Sequence, residues 1–299
     1  MAKVAANGIQ IEYETFGNSS GRPLLLIIGL GGQMTQWDDD LCKDLVKRGH
    51  YIIRFDNRDV GLSTKFDEAG VPNLGETIGK IMQGEKIKPP YTLDDMADDA
   101  IGLLEALGIG KAHICGMSMG GMIAQTIAIR HLPHVLSLIS IYSTTGNPEL
   151  PQPKPEILRL LATPPPSERE ANIEHMLGVF KTIAGPGFPL DEKWTRKIMA
   201  ENYDRCFYPQ GMVRQLVAIL TQANRGHALS SVNVPALVVH GTDDPLVPVE
   251  GGKDTAKVIS GAQFMLINGM GHDLPHGGAW PRIVEAIAAH TLKATPYRS

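Results

Sequence analysis

Short apolar runs recur along this chain, and stretches of helical periodicity separate them. Residues 24–28 read Leu-Leu-Leu-Ile-Ile, and comparable runs fall at 51–55, 112–115, 135–142, 236–240 and 264–267. Continuous apolar runs of this length, without polar alternation, predict strands buried on both faces. Residues 4–16 alternate in part and contain Asn7-Gly8, a two-residue hairpin signal. Helical spacing of apolar residues marks 93–107, 122–131 and 280–293. Strands alternating with helices predict an α/β fold: a mostly parallel sheet flanked by helices on both faces. No internal repeat is visible.

One segment breaks the alternation. Residues 146–231 open with a proline-rich stretch at 147–155, continue through Pro164-Pro165-Pro166, and predict helices at 167–183, 191–203 and 209–225. Met176, Phe180, Phe188, Trp194, Met199, Phe207 and Met212 are its apolar candidates to face a binding cavity. Apolar residues at helical spacing more often form a helix's own packing surface, so most of them are expected to do that. Residues 79–90, with Lys80, Lys86 and Lys88, are expected as a solvated loop.

Composition narrows the function classes. At 299 residues with 43% hydrophobic content, one α/β core with an insertion fits better than two independent domains. A net charge of −4 and an isoelectric point near 6.2 supply no basic field for nucleic acid. No run approaches the roughly 18 apolar residues of a membrane span, and the first residues lack the apolar stretch of a signal peptide. Cys42, Cys115 and Cys206 have neither metal-ligand nor disulfide spacing, so a reduced, cytoplasmic protein is expected. Cys115 is expected to be a packed core thiol. A homodimer is left open.

Residues 116–121 read Gly-Met-Ser-Met-Gly-Gly, between a predicted strand and a predicted helix. A serine between glycines at such a junction is a nucleophile elbow. The turn leaves no room for side chains at Gly116 and Gly120, and it presents the Ser118 hydroxyl near the N–H groups that open the helix.

Serine needs a base, and that base is usually a histidine held by a carboxylate. On such sheets the order along the chain is Ser, Asp or Glu, then His. The run at 236–240 is followed by Asp243 and Asp244, and the run at 264–267 by Gly-Met-Gly-His272. Asp244 is preferred to Asp243, because Pro245 restricts its backbone and defines the turn. The loop at 143–147, after the strand at 135–142, offers no carboxylate. Among ten histidines His276 is the serious rival, but His272 directly follows the glycine-rich loop after the last strand. The oxyanion donors expected are the N–H groups of Met119, next to the serine, and of Leu30, in the glycine loop after the run at 24–28.

These features together resemble the α/β-hydrolase superfamily over nearly the whole chain. Arg54–Ser63 resembles its Asp-x-Arg-Gly-x-Gly-x-Ser stretch, with Asp59 where glycine is commoner. That stretch, the Gly-Met-Ser-Met-Gly elbow and the Gly-Met-Gly-His ending are most similar to the aclacinomycin methylesterase-like carboxylesterases. The resemblance implies an α/β-hydrolase core at 1–145 and 232–299 with a helical cap at 146–231. It implies a triad of Ser118, Asp244 and His272, with Leu30 and Met119 as the oxyanion pair. Many relatives carry His-Gly where this chain has Ile28-Gly29, which alters the bonds that shape that loop. Asp56 and Arg58 are read as holding the 54–63 loop together.

The expected activity is hydrolysis of small or short-chain carboxylic esters through an acyl-enzyme, without metal or organic cofactor. Lactone, thioester and carbon–carbon hydrolysis use the same triad and are not separated from it. Neither is perhydrolysis, nor a slow-hydrolysing ligand receptor. Ser118 argues against haloalkane dehalogenase and epoxide hydrolase chemistry, in which the elbow carries an aspartate.

Overall fold

The structure is a computed structural model and describes residues 1–294. Strands β1 (Ala2–Ala6) and β2 (Ile9–Phe16) form the expected hairpin. Asn7 and Gly8 both have positive φ, 47° and 76°, the pairing that a two-residue turn between twisted strands requires. Then follow β3 (Arg22–Ile27), α1 (Asp39–Lys47), β4 (His50–Phe55), α2 (Leu74–Met82) and α3 (Leu93–Ala106). Next come β5 (Ala112–Met117), α4 (Met119–Arg130) and β6 (Val135–Ile141). An insertion of helices occupies the connection that follows: α5 (Pro155–Ala162), α6 (Arg169–Ile183), α7 (Glu192–Arg205), α8 (Pro209–Leu220) and α9 (Gly226–Leu229). The chain closes with β7 (Ala236–Gly241), α10 (Val249–Val258), β8 (Gln263–Ile267) and α11 (Ala279–Ala294).

The eight strands form one sheet in the order β1-β2-β4-β3-β5-β6-β7-β8. The pairings of β2 with β1 and β4 are antiparallel, and the others are parallel. Along β3, Leu25 and Ile27 pack with α3 and α4 on one face, while Leu24 and Leu26 pack with α1 and α11 on the other. Helices on both sides explain why the central strands read as unbroken apolar runs. The insertion has a small core of its own, Ile173, Ile198 and Met199, with Met176, Phe180 and Trp194 against it.

Two sequence expectations are corrected. Residues 79–90 are not loop throughout, since α2 extends to Met82. The Asn73 side chain caps its start, and Glu76 pairs with Lys80 on its exposed face, a local signal that lysine spacing alone did not reveal. The helix expected at 209–225 stops at Leu220, and a separate short turn forms α9. Positions 295–299 of the expected core lie outside the described residues.

The loop after β4 joins core and insertion. Both oxygens of buried Asp56 accept backbone N–H groups, from Met34 and Leu62, and Arg205 of α7 pairs with it at 2.7 Å. Arg58 forms a two-pronged bond with buried Asp99 of α3. Asp59 adopts φ 68°, which explains glycine as the commoner residue there. In exchange its carboxylate takes both prongs of Arg214 from α8, at 2.8 and 2.9 Å, in a fully buried pair.

Candidate active site

Ser118 stands where β5 meets α4, with φ 55° and ψ −122°, a strained conformation for a residue with a side chain. The turn closes tightly around it. A Cβ on Gly116 would lie 1.9 Å from the Gly120 carbonyl oxygen, and one on Gly120 would lie 2.1 Å from that of Ile27. Neither position therefore admits a side chain. Ser118 N–H donates to Ile141 O at 2.9 Å, and the Ser143 hydroxyl donates to Ser118 O at 2.8 Å, so β6 braces the bend.

Two distant loops meet this serine. His272 Nε2 lies 2.9 Å from Ser118 Oγ, and His272 Nδ1 lies 2.7 Å from Asp244 Oδ2. Asp244 Oδ1 accepts the N–H groups of Leu246 and Val247, which fixes the carboxylate in the turn that Pro245 initiates. Burial works against the Asp244 charge, but His272 and His240 outweigh it and hold the carboxyl well below the usual carboxylate range. Asp243 is exposed and accepts from the Thr242 hydroxyl. His276 stacks on Trp194 at 5.3 Å and meets Trp280 edge-on at 4.8 Å. Of the rival pairs in the sequence, the fold therefore joins Asp244 and His272 to the serine.

The 28–32 loop borders the site, and a Cβ on Gly29 would come within 3.2 Å of Ser118 Cβ. Its N–H groups are used unequally. Gly31 donates to Gln215 Oε1 at 2.9 Å, and Gly32 donates to Gly29 O at 3.2 Å. Among the described residues no hydrogen bond uses the N–H of Leu30 or of Met119, the first residue of α4. Two backbone donors thus remain unused: one follows Ser118 at a helix N-terminus, and the other lies in a loop that lines the same cavity.

Above these groups lies a cavity of about 700 Å³. Ser118, His272 and the 28–32 loop line one side, and Met176, Phe180, Met199 and Leu216 of the insertion line the other. Trp194 and Met212 also reach it, whereas Phe188 packs with the core and Phe207 packs on Tyr203.

Two features were missed from sequence. Tyr142, directly after β6, places its ring centroid 4.6 Å from that of His272. It was visible only as the last apolar residue of a strand. Asp273, next to His272, is buried; burial is the main cause that pushes its carboxyl up to about 6. An acidic neighbour of a histidine gives no such signal until its burial is known.

A doubly wound α/β sheet with serine, histidine and aspartate hydrogen-bonded in series beneath a cavity defines the class. The chain belongs to the alpha/beta hydrolase fold family, which residues 22–279 match. Rhodomycin D methylesterase DnrP of Streptomyces peucetius is 29% identical over 309 residues, covering 96% of both chains. A 2-hydroxy-6-oxononadienedioate/2-hydroxy-6-oxononatrienedioate hydrolase of Cupriavidus pinatubonensis is 31% identical, covering 91% of this chain and 90% of its own. Among solved structures, a thermophilic esterase from Thermogutta terrifontis has the same fold, with a TM-score of 0.72 at 22% identity, covering 99% of this chain and all of the other. Among the described residues, no helix is long and apolar enough to cross a membrane.

Proposed function

We propose that this protein is a serine hydrolase that cleaves carboxylic esters. The observation that carries this reading is the continuous relay from Ser118 Oγ through His272 to Asp244, opening into a mostly apolar cavity. In this reading His272 takes the Ser118 proton as Oγ attacks the ester carbonyl, and Asp244 orients the ring and stabilises its charged form. The N–H groups of Leu30 and Met119 receive the oxyanion. His272 then protonates the departing alcohol, and a water deprotonated by the same ring releases the acid. Residues 146–231 serve as the cap over residues 1–145 and 232–299, supplying the apolar wall and limiting water.

The methylesterase relative supports ester cleavage at this type of site. Short-chain esters fit, but the volume of about 700 Å³ is in the range that encloses much bulkier ligands, so longer acyl or alcohol portions are also admitted. Carbon–carbon hydrolysis is the second reading, favoured by the relative from Cupriavidus pinatubonensis. The substrate is a small molecule. Free thiols at Cys42, Cys115 and Cys206 support a cytoplasmic location, which fractionation of expressing cells tests.

Turnover of p-nitrophenyl esters from acetate to palmitate, with Ser118→Ala alongside, tests the main reading. Hydrolysis that Ser118→Ala abolishes supports it. No hydrolysis of any ester by a folded protein, with cleavage of a vinylogous diketone instead, moves the assignment to carbon–carbon bonds.

A further inference from the structure

Two buried amides join the segment after β3 to the insertion: Gln33, which donates to the carbonyls of Asn202 in α7 and of Cys206, at 2.7 and 2.9 Å, and Gln215. Gln215 lies on α8 and has no exposed surface. Its Oε1 accepts the Gly31 N–H at 2.9 Å, and its Nε2 donates to the Arg58 carbonyl at 2.9 Å. The two partners fix which way the amide faces, because one is a donor and the other an acceptor. Other bonds hold the remainder of this segment. Asn57 Nδ2 donates to Ile28 O at 3.1 Å, and Asp56 Oδ1 accepts Met34 N–H at 2.9 Å. Both come from the loop after β4. Among the described residues, Gln215 is the insertion side chain that holds the Gly31 N–H, in the middle of the segment, while Gln33 holds its far end.

Gln215 is absent from the cavity wall, although Met212 and Leu216 on the same helix belong to it. It therefore touches no substrate. Its effect is on Leu30, whose peptide unit leads into Gly31. Leu30, whose N–H is unused, lines the cavity with Ser118, and Gly31 N–H, the next along the chain, is committed to Gln215.

We infer that Gln215 is a positioning residue for the reaction: its two hydrogen bonds from α8 hold the 28–32 loop in the register that turns the Leu30 N–H toward the oxyanion. The alternative use of this amide, as a filler that merely satisfies two buried backbone groups, stabilises the fold without affecting the chemical step. An oxyanion donor acts only if it is held near the place where charge develops, and a shift of about 1 Å in such a group costs on the order of 10²-fold in rate.

This inference rests on the ester-hydrolase reading, and the experiment separates the two. Gln215→Met keeps length and volume and removes both hydrogen bonds. Gln215→Glu keeps an oxygen acceptor for Gly31. Val217→Ala, on the same helix, removes buried packing and leaves the loop's bonds intact. Each is assayed for ester hydrolysis, for inhibition by a trifluoromethyl ketone that forms a tetrahedral oxyanion adduct, and for Tm. Gln215→Met is expected to lower kcat by roughly 10- to 100-fold with KM changed less than about threefold, and to weaken the ketone in parallel. Gln215→Glu is expected to retain more kcat than Gln215→Met. Val217→Ala is expected to lower Tm with kcat unchanged.

If Gln215→Met and Val217→Ala lower Tm alike and neither changes kcat or ketone affinity, Gln215 is only structural and the inference is overturned. Should Gln215→Met not fold, Gln215→Glu with wild-type kcat and wild-type ketone affinity at a lowered Tm overturns it equally. Absence of ester turnover in the unaltered protein is a failure of the hydrolase reading, not of this one.

Discussion

The sheet and the insertion face each other across one cavity and contribute unlike things to it. From the loops at the strand ends come Ser118, His272 and the 28–32 segment. From the insertion come methionine, phenylalanine and leucine side chains that bond to nothing. The sheet packs large apolar layers on both faces, whereas among the described residues the insertion's own buried cluster is small: Ile173, Ile198 and Met199. The reactive side chains thus come from the densely packed part, and most of the apolar wall from the lightly packed one. The two are still not independent. Asp59–Arg214, Asp56–Arg205 and the bond from His272 N–H to Ile183 O at 2.8 Å tie them together beside the site.

The largest effect that this division predicts belongs to the sheet. His272→Ala should lower kcat by roughly 10⁴-fold or more, while Phe180→Ala should change KM and chain-length preference with kcat within about tenfold. Steady-state kinetics on the ester series would break the division if Phe180→Ala matched the loss at His272.

The next effect tests the tie. Asp59→Asn leaves the Arg214 guanidinium buried without its counter-charge. Breaking one partner of such a pair costs about 3–5 kcal/mol, read as a drop in Tm. A change below about 1 kcal/mol would mean that the ion pair does not join the two regions energetically.

A third prediction concerns pH. Asp273 is raised from 3.8 to about 6 in the fold, chiefly by burial. Its neutral form is the one the fold prefers, so its contribution to stability is fully present below pH 4 and is lost as pH rises through 6. Asp273→Asn should remove that loss, which amounts to at most about 3 kcal/mol for a shift of this size. Tm measured from pH 4 to 7 should then fall less steeply in the variant. An unchanged slope would place the carboxyl in a better solvated state.

The smallest effect compares packing. Ile139→Val in β6 and Ile173→Val in α6 should each cost about 1 kcal/mol. Hydrogen exchange should report the first as global loosening and the second as faster exchange confined to α6 and α7. Equal loosening of both regions in both variants would erase the distinction.

What sequence revealed follows the same division. Strands buried on both faces leave unbroken apolar runs, and the elbow, the Asp-Asp-Pro turn and the Gly-Met-Gly-His loop each lie a few residues beyond one, so sheet and triad candidates were legible together. The insertion gave its helices approximately, but not the join between them at Leu220 and Gly226. Gln215 illustrates the reason. A glutamine on a helix reads as a surface position, and its partner Gly31 is 184 residues away. Its buried role depends on a contact between segments that no local pattern encodes. Asp59 was seen as a departure from glycine, but its compensation lay in Arg214, 155 residues further on.

In the proposed mechanism Ser118 is the nucleophile, made so by His272 and Asp244. The most direct test of this is to trap the covalent adduct with a p-nitrophenyl phosphonate and locate it by peptide mass spectrometry. Stoichiometric label is expected on the peptide carrying Ser118, none in Ser118→Ala, and labelling slowed by orders of magnitude in His272→Ala. Label on another residue, or ester turnover that persists in Ser118→Ala, would contradict it.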